Sequence, residues 1–244
     1  MKKSLFIKIS YYFLILILIF LFQSFASKIA GIIAGAFDYS GFDKNNLFMY
    51  ISIHHIIQML IALIFIFIFL HFKKVDFYLR PKVDKYGIIA CLIFTVVILI
   101  YVILSYTIGY KLNIISPYSY ELNFINVFGT LAFQLFLSGL SEEILFRALP
   151  ITILKTFLNR NSKSSCFLCV FVSSILFALA HIRWTLFPFT ISYSLFQLIY
   201  AFILGLAYGY TYLKSKSVIY PIIMHAISNF LMVGIGYIFA CFII

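Results

Sequence analysis

From about residue 9 the sequence is a succession of long apolar runs, near 9–27, 50–71, 87–109, 124–150, 166–182, 190–212 and 218–243, separated by short polar segments. A helix needs about 20 largely apolar residues to cross a hydrocarbon layer of roughly 30 Å. The pattern therefore predicts an all-α fold, a polytopic membrane helix bundle of about seven transmembrane helices. Composition agrees, because 64% of the 244 residues are apolar or aromatic and only 10% are charged. A soluble fold of that make-up would lack the polar residues to cover its surface. Seven crossings also leave only short loops, which excludes a large soluble domain.

The net charge of +11 comes from 18 Lys and Arg against 7 Asp and Glu. With a cytoplasmic N-terminus, the inner side receives Lys2, Lys3, Lys8, Lys73, Lys74, Arg80, Lys82, Lys85, Lys155, Arg160, Lys163, Lys214 and Lys216, thirteen in all. The outer side receives four, Lys28, Lys44, Lys111 and Arg183, and Arg147 stays inside a span. Such a bias sets orientation, so the sequence predicts a multi-pass protein of the plasma membrane with its N-terminus in and C-terminus out. The basic excess serves orientation and attraction to anionic membrane lipid, and nucleic acid is not expected as a partner. Lys2 and Lys3 ahead of the first run could open a secretory signal. That run extends to Ala26 without a small-x-small site, so an uncleaved first helix is expected. Cys91, Cys166, Cys169 and Cys241 fall in apolar runs and read as small buried hydrophobes. Cys166 and Cys169 form a C-x-x-C, but no second pair accompanies it.

The placement of acids is more telling. Asp38, Asp43, Asp76, Asp84 and Glu121 fall in loops, whereas Glu142 and Glu143 lie inside the fourth run with Arg147. A charge at the bilayer centre opposes insertion by about 2.5–3.5 kcal/mol on translocon scales. Glu143 and Arg147 stand i,i+4 with the acid first, the better order for a helical ion pair. Glu142 is then turned about 100° around the helix, leaving Glu143 as the paired, structural carboxylate and Glu142 as the free one. An interhelical clamp needs only one acid. A second, beside the first, is placed to act as a general base.

Five histidines are available as partners. His54 and His55 near the outer end of the second run, and His71 at its inner end, read as interfacial rings with a structural role. His181, closing Phe177-Ala-Leu-Ala-His181, and His225, in His225-Ala-Ile-Ser-Asn229, interrupt otherwise apolar helices. His225 and Asn229 are i,i+4 and share a helix face. Glu142, His181, His225 and Asn229 together offer a base, two further titratable groups and an amide donor from three helices. That set can activate a water and stabilise an oxyanion.

Glu142-Glu143-Ile-Leu-Phe-Arg147, Phe177-x-x-x-His181 and His225-x-x-x-Asn229, in that order and with gaps of 34 and 44 residues, resemble the three signature motifs of the CPBP intramembrane endopeptidases. That family, also called Abi, includes the type II CAAX prenyl endopeptidases and bacterial proteins linked to bacteriocin processing or self-immunity. The resemblance spans roughly residues 124–236, which divides the chain into N-terminal transmembrane helices, 1–122, and a catalytic helix bundle, 123–244. It implies that Glu142 is the catalytic glutamate, that Glu143, Arg147 and Phe177 support it, and that His181, His225 and Asn229 complete the site. It also implies a membrane-associated peptide or protein as substrate. Where many members carry glycine after the motif arginine, this chain has Ala148.

The same residues bear on other chemistries. The H-E-x-x-H of a zinc protease is absent, an aspartyl pair is not expected from adjacent acids that point apart, and Ser141 lacks the glycine of a serine nucleophile. Glu142, His181 and His225 would nonetheless make a legitimate zinc set. Asn229, a poor zinc ligand and a good amide donor, favours a mechanism without a cofactor. A non-catalytic immunity protein and a proton-coupled carrier are the remaining alternatives, and a carrier built from repeated halves would carry acids in both. Depth adds one expectation. At 1.5 Å per residue, His181 lies about 22 Å into its run but Glu142 only about 12 Å from Pro150, so the fourth helix is expected to continue past Pro150, with a kink, to about Leu158.

Overall fold

The computed structural model describes residues 2–115, 118–158 and 162–242, so Arg160, one of the cations assigned to the inner side, lies outside the described residues. Three long helices come first, α1 (Lys2–Ala34), α2 (Met49–Phe72) and α3 (Lys85–Lys111). A fourth rod follows, comprising α4 (Phe124–Phe133), a π-helical turn over Gln134–Ser138, α5 (Gly139–Glu143), a second π-helical turn over Ile144–Ala148, and α6 (Leu149–Leu158). The remainder is α7 (Lys163–Leu179), a hairpin of β1 (Arg183–Leu186) and β2 (Phe189–Ser192), α8 (Leu195–Ser215) and α9 (Ile219–Phe242). Among the described residues, six helical rods are long and apolar enough to cross a membrane, and α7, at 17 residues, is a shorter apolar helix. The protein is a multi-pass helical membrane bundle.

Helix starts follow local hydrogen-bonding chemistry. Asp43 accepts from the backbone N–H groups of Leu47, Phe48 and Met49 at 2.9, 2.8 and 2.8 Å and so caps the entry to α2. Asp84 caps α3 through Gly87 N–H at 2.9 Å, and Asn123 caps α4 through Asn126 N–H at 3.0 Å. Each satisfies donors that a helix N-terminus leaves open. The lateral surface is apolar, with Leu92, Ile93, Val96, Val97, Ile100 and Leu104 of α3 all exposed. In water this would be a liability, and in lipid it is the expected outer face. Between helices the contacts rely on small residues. A Cβ added to Gly205 of α8 would stand 3.0 Å from the Ser174 Cβ of α7, so these two backbones pack closely, as membrane helices do.

The fourth helix continues to Leu158, as the depth argument required. Its irregularity differs from the expectation, since the two π-helical turns precede Pro150 and flank α5. The helix after His181 also differs. A span was expected from about residue 190, but Arg183–Ser192 forms an antiparallel hairpin and α8 begins at Leu195. Pro188 cannot supply a helical N–H, and the β-branched Thr185, Thr190 and Ile191 suit a pleated strand. The Thr185 and Thr190 hydroxyls pair across the ladder at 2.8 Å.

Two ends of the bundle can be distinguished by contacts. Tyr212 donates to Phe77 O at 3.0 Å, Val218 N–H to Tyr78 O at 2.9 Å, and Tyr220 to Lys82 O at 2.9 Å. The basic segment 73–84 and the turn after α8 therefore share one end. At the other, Lys28 Nζ lies 4.6 Å above the Trp184 ring. Lys28 belongs to the last turns of α1, which runs on to Ala34, and not to a loop.

Candidate active site

Gly139 brings the acidic segment onto its neighbour. A Cβ at this position would stand 2.8 Å from Ile222 O of α9 and 3.2 Å from the His225 Cβ, so only glycine lets α5 and α9 approach this closely. The π-helical turns on either side of α5 alter the angular spacing of its residues, a departure that often marks functional positions. Together these features aim Glu142 and Glu143 at α9.

Both carboxylates meet one imidazole. His225 Nδ1 lies 2.8 Å from Glu143 Oε1, and its Nε2 lies 3.6 Å from Glu142 Oε2. The adjacent acids, expected to point apart, are reached by one ring because its two nitrogens span the angle between them. Glu143 is completely buried and also faces Arg147, its Oε2 3.2 Å from Arg147 Nε, which is the i,i+4 pair read from the sequence. Arg147 is completely buried too, and its guanidinium nitrogens have no hydrogen-bond partner among the described residues. Aromatic faces compensate. The guanidinium carbon lies 4.0 Å from the Phe177 ring centroid and 5.3 Å from that of Tyr208, within the range of cation–π attraction.

The same two rings hold His225. Tyr208 stacks on it at 5.2 Å with an interplanar angle of 20°, and Phe177 meets it edge-on at 5.8 Å. Tyr208 is fixed by a 2.7 Å hydrogen bond with Ser228. Phe177 thus supports Arg147 and His225 at once and reaches His181, with ring centroids 4.9 Å apart. Ala148, where a glycine was noted as common, is fully buried and accommodated.

His181 lies just beyond α7 and not within it, since the helix ends at Leu179. Its Nδ1 is 2.9 Å from Phe177 O. A carbonyl can only accept, so Nδ1 carries the proton, and in the neutral ring Nε2 is the accepting nitrogen. Asn229 donates through Nδ2 to Ser138 Oγ at 2.9 Å, which ties α9 to the first π-helical turn. Glu142, His181, His225 and Asn229 all line one cavity of about 280 Å³, with His55, Ser138 and Tyr208. A second cavity of about 690 Å³ shares Glu142, His55, Phe177 and His181 and extends past Gln23, Lys28 and Trp184. The reading of Glu142 as the free acid is refined accordingly, since its carboxylate is partly exposed and lies between two imidazoles, His225 and His55.

His55 is the residue that sequence reasoning placed elsewhere. It was read as an interfacial ring, but it is buried, with Nε2 3.6 Å from Glu142 Oε1 and its ring edge-on to Phe133 at 5.0 Å. Its neighbour His54 takes the polar role expected of both, with Nε2 2.9 Å from Gln58 Oε1. No sequence spacing links His55 to Glu142, and only the packing of α2 on α5 reveals the contact. Ser138, Tyr208 and Ser228 likewise carried no signal. The alternative zinc set of Glu142, His181 and His225 is not gathered as a metal-ligand group among the described residues.

Residues 124–231 match the family model described as type II CAAX prenyl endopeptidase, Rce1-like. The matched segment includes all three motifs and begins with α4. No curated protein and no solved structure gives a match.

Proposed function

We propose that this chain, whose residues 124–231 match an Rce1-like family model, is an endopeptidase that hydrolyses a peptide bond within the membrane by glutamate-activated water. The observation that carries the reading is the convergence of Glu142, His181, His225 and Asn229, from three separate segments, on one polar cavity. A clamp or a lipid-facing accident would not gather a base, two imidazoles and an amide donor around one space.

Each group has a chemical role there. Glu142 removes a proton from water, and His181, whose Nε2 can accept, shares the water's second hydrogen and fixes its orientation. The oxygen attacks the peptide carbonyl. Negative charge then develops on the carbonyl oxygen, and it is met by Asn229 Nδ2 and by Nε2–H of protonated His225. Glu143 accepts from Nδ1 and stabilises that protonated ring. When the tetrahedral intermediate collapses, the proton held by Glu142 passes to the leaving amine. Preorganised donors of this kind are worth about 10²–10³-fold each. No step requires a cofactor. The substrate is a membrane-associated peptide or protein, with a CAAX-type protein, a pheromone or a bacteriocin precursor all chemically suitable, and the location is the plasma membrane.

The test is cleavage of fluorogenic peptides by the purified protein in detergent, before and after dialysis against a strong chelator. The reading predicts turnover that survives dialysis. Stoichiometric zinc, with activity lost on chelation and restored by zinc, would replace the metal-free mechanism by the zinc-bound one. No cleavage of any peptide, together with solute flux in liposomes, would replace the peptidase by a carrier.

A further inference from the structure

The contacts of the site form one alternating line. His55 Nε2 is 3.6 Å from Glu142 Oε1, Glu142 Oε2 is 3.6 Å from His225 Nε2, His225 Nδ1 is 2.8 Å from Glu143 Oε1, and Glu143 Oε2 is 3.2 Å from Arg147 Nε. Four of these five residues lie in the Rce1-like segment, and His55, on α2, lies far outside it. Building on the peptidase reading, we infer that His55 is a positioning residue for Glu142, holding one carboxylate oxygen while His225 holds the other.

A carboxylate free to rotate presents either oxygen to water, and the productive geometry is then only one of several. With one imidazole facing each oxygen at 3.6 Å, the rotation of the Glu142 carboxylate is restricted. His55 is itself immobilised, buried against Phe133 and beside His54. Charge makes the same demand. Arg147 with two ionised glutamates leaves one negative charge uncompensated in a low-dielectric setting, which is costly. One further proton, held on His225 beside Glu143, brings the group to neutrality. A neutral His55 still has an N–H to present to Glu142 Oε1 when His225 Nε2–H is taken up by the oxyanion. The groups around Glu142 come from three other segments: His55 on α2, His181 after α7 and His225 on α9.

The experiment compares His55→Ala, His55→Gln and His71→Ala, the last an exposed residue at the far end of α2. His55→Ala should lower kcat by about 10–10²-fold, the scale on which a catalytic group displaced by up to about 1 Å loses rate, with KM within about twofold. His55→Gln should recover most of that loss, since its amide can donate to Oε1, and His71→Ala should match the wild type. In parallel, ¹⁵N NMR of histidine-labelled protein in detergent follows the His55 ring, assigned by its loss in His55→Gln, when Glu142 is changed to Gln. The ring resonance should shift. Wild-type kcat in His55→Ala, or a folded His55→Gln no better than His55→Ala, overturns the inference, as does a His55 resonance indifferent to Glu142→Gln. If the wild type cleaves no peptide, the peptidase reading fails separately and the NMR comparison still decides the contact.

Discussion

His225 Nδ1 lies 2.8 Å from the Oε1 atom of a Glu143 that is wholly buried. This one contact joins the motif of α9 to that of the fourth rod and leaves the other ring nitrogen facing Glu142. It also means that Glu143 serves two partners, Arg147 on its own rod and His225 across the interface.

Removing Arg147 should therefore be a stability defect before it is a catalytic one. Arg147→Ala leaves Glu143 buried without its cation, a change that costs about 3–5 kcal/mol when a buried pair is broken. The yield of monodisperse protein and its thermal midpoint in detergent should both fall. Arg147→Lys should not restore them fully, because an ammonium does not reproduce the planar stacking on Phe177 and Tyr208.

Gly139→Ala tests the close approach of α5 and α9. The added methyl would stand 2.8 Å from Ile222 O, a backbone atom that cannot swing aside. Separating the helices pulls both glutamates from His225, so kcat and thermal stability should fall together. Overpacking of this kind costs about 1–3 kcal/mol. A variant with wild-type values for both would show that the approach is not needed.

Asn229 should act on turnover and not on binding. Asn229→Ala removes one oxyanion donor and should lower kcat by about 10²–10³-fold with KM little changed. Ser138→Ala removes only the group that orients the amide, so its effect should be smaller. Steady-state kinetics of the two variants on one peptide provide the comparison.

Much of this was legible in the sequence because the membrane makes its rules strict. Apolar length located the helices, and the cost of intramembrane charge singled out Glu142, Glu143 and Arg147. Spacing gave the Glu143–Arg147 pair. What could not be read was whatever depends on one rod meeting another. The i to i+1 angle of a regular helix turns Glu142 and Glu143 apart, and it does not reveal that a single imidazole on α9 reaches both. His55 had the sequence context of an interfacial ring, and its contact arises only because α2 packs on α5. The hairpin at Arg183–Ser192 lies mostly in the gap between the runs 166–182 and 190–212, where Pro188 marks a turn and the β-branched Thr185, Thr190 and Ile191 favour strands.

Orientation rests on the basic residues, and labelling tests it. In a cysteine-free background, a cysteine near Lys163, at the start of α7, should react only with reagent on the cytoplasmic side. One near Arg183, in β1, should react only from outside. Reversed labelling would invert the bundle, and labelling of both from one side would mean that α7 does not cross.

The most direct measurement is peptide cleavage by purified Glu142→Gln beside the wild type, with thermal midpoints recorded on the same samples. The substitution keeps size and hydrogen bonding but removes the base, and general-base catalysis contributes about 10²–10⁴-fold. The account predicts a midpoint close to that of the wild type and a kcat lower by at least about 10²-fold. A folded Glu142→Gln protein that cleaves at the wild-type rate would contradict it.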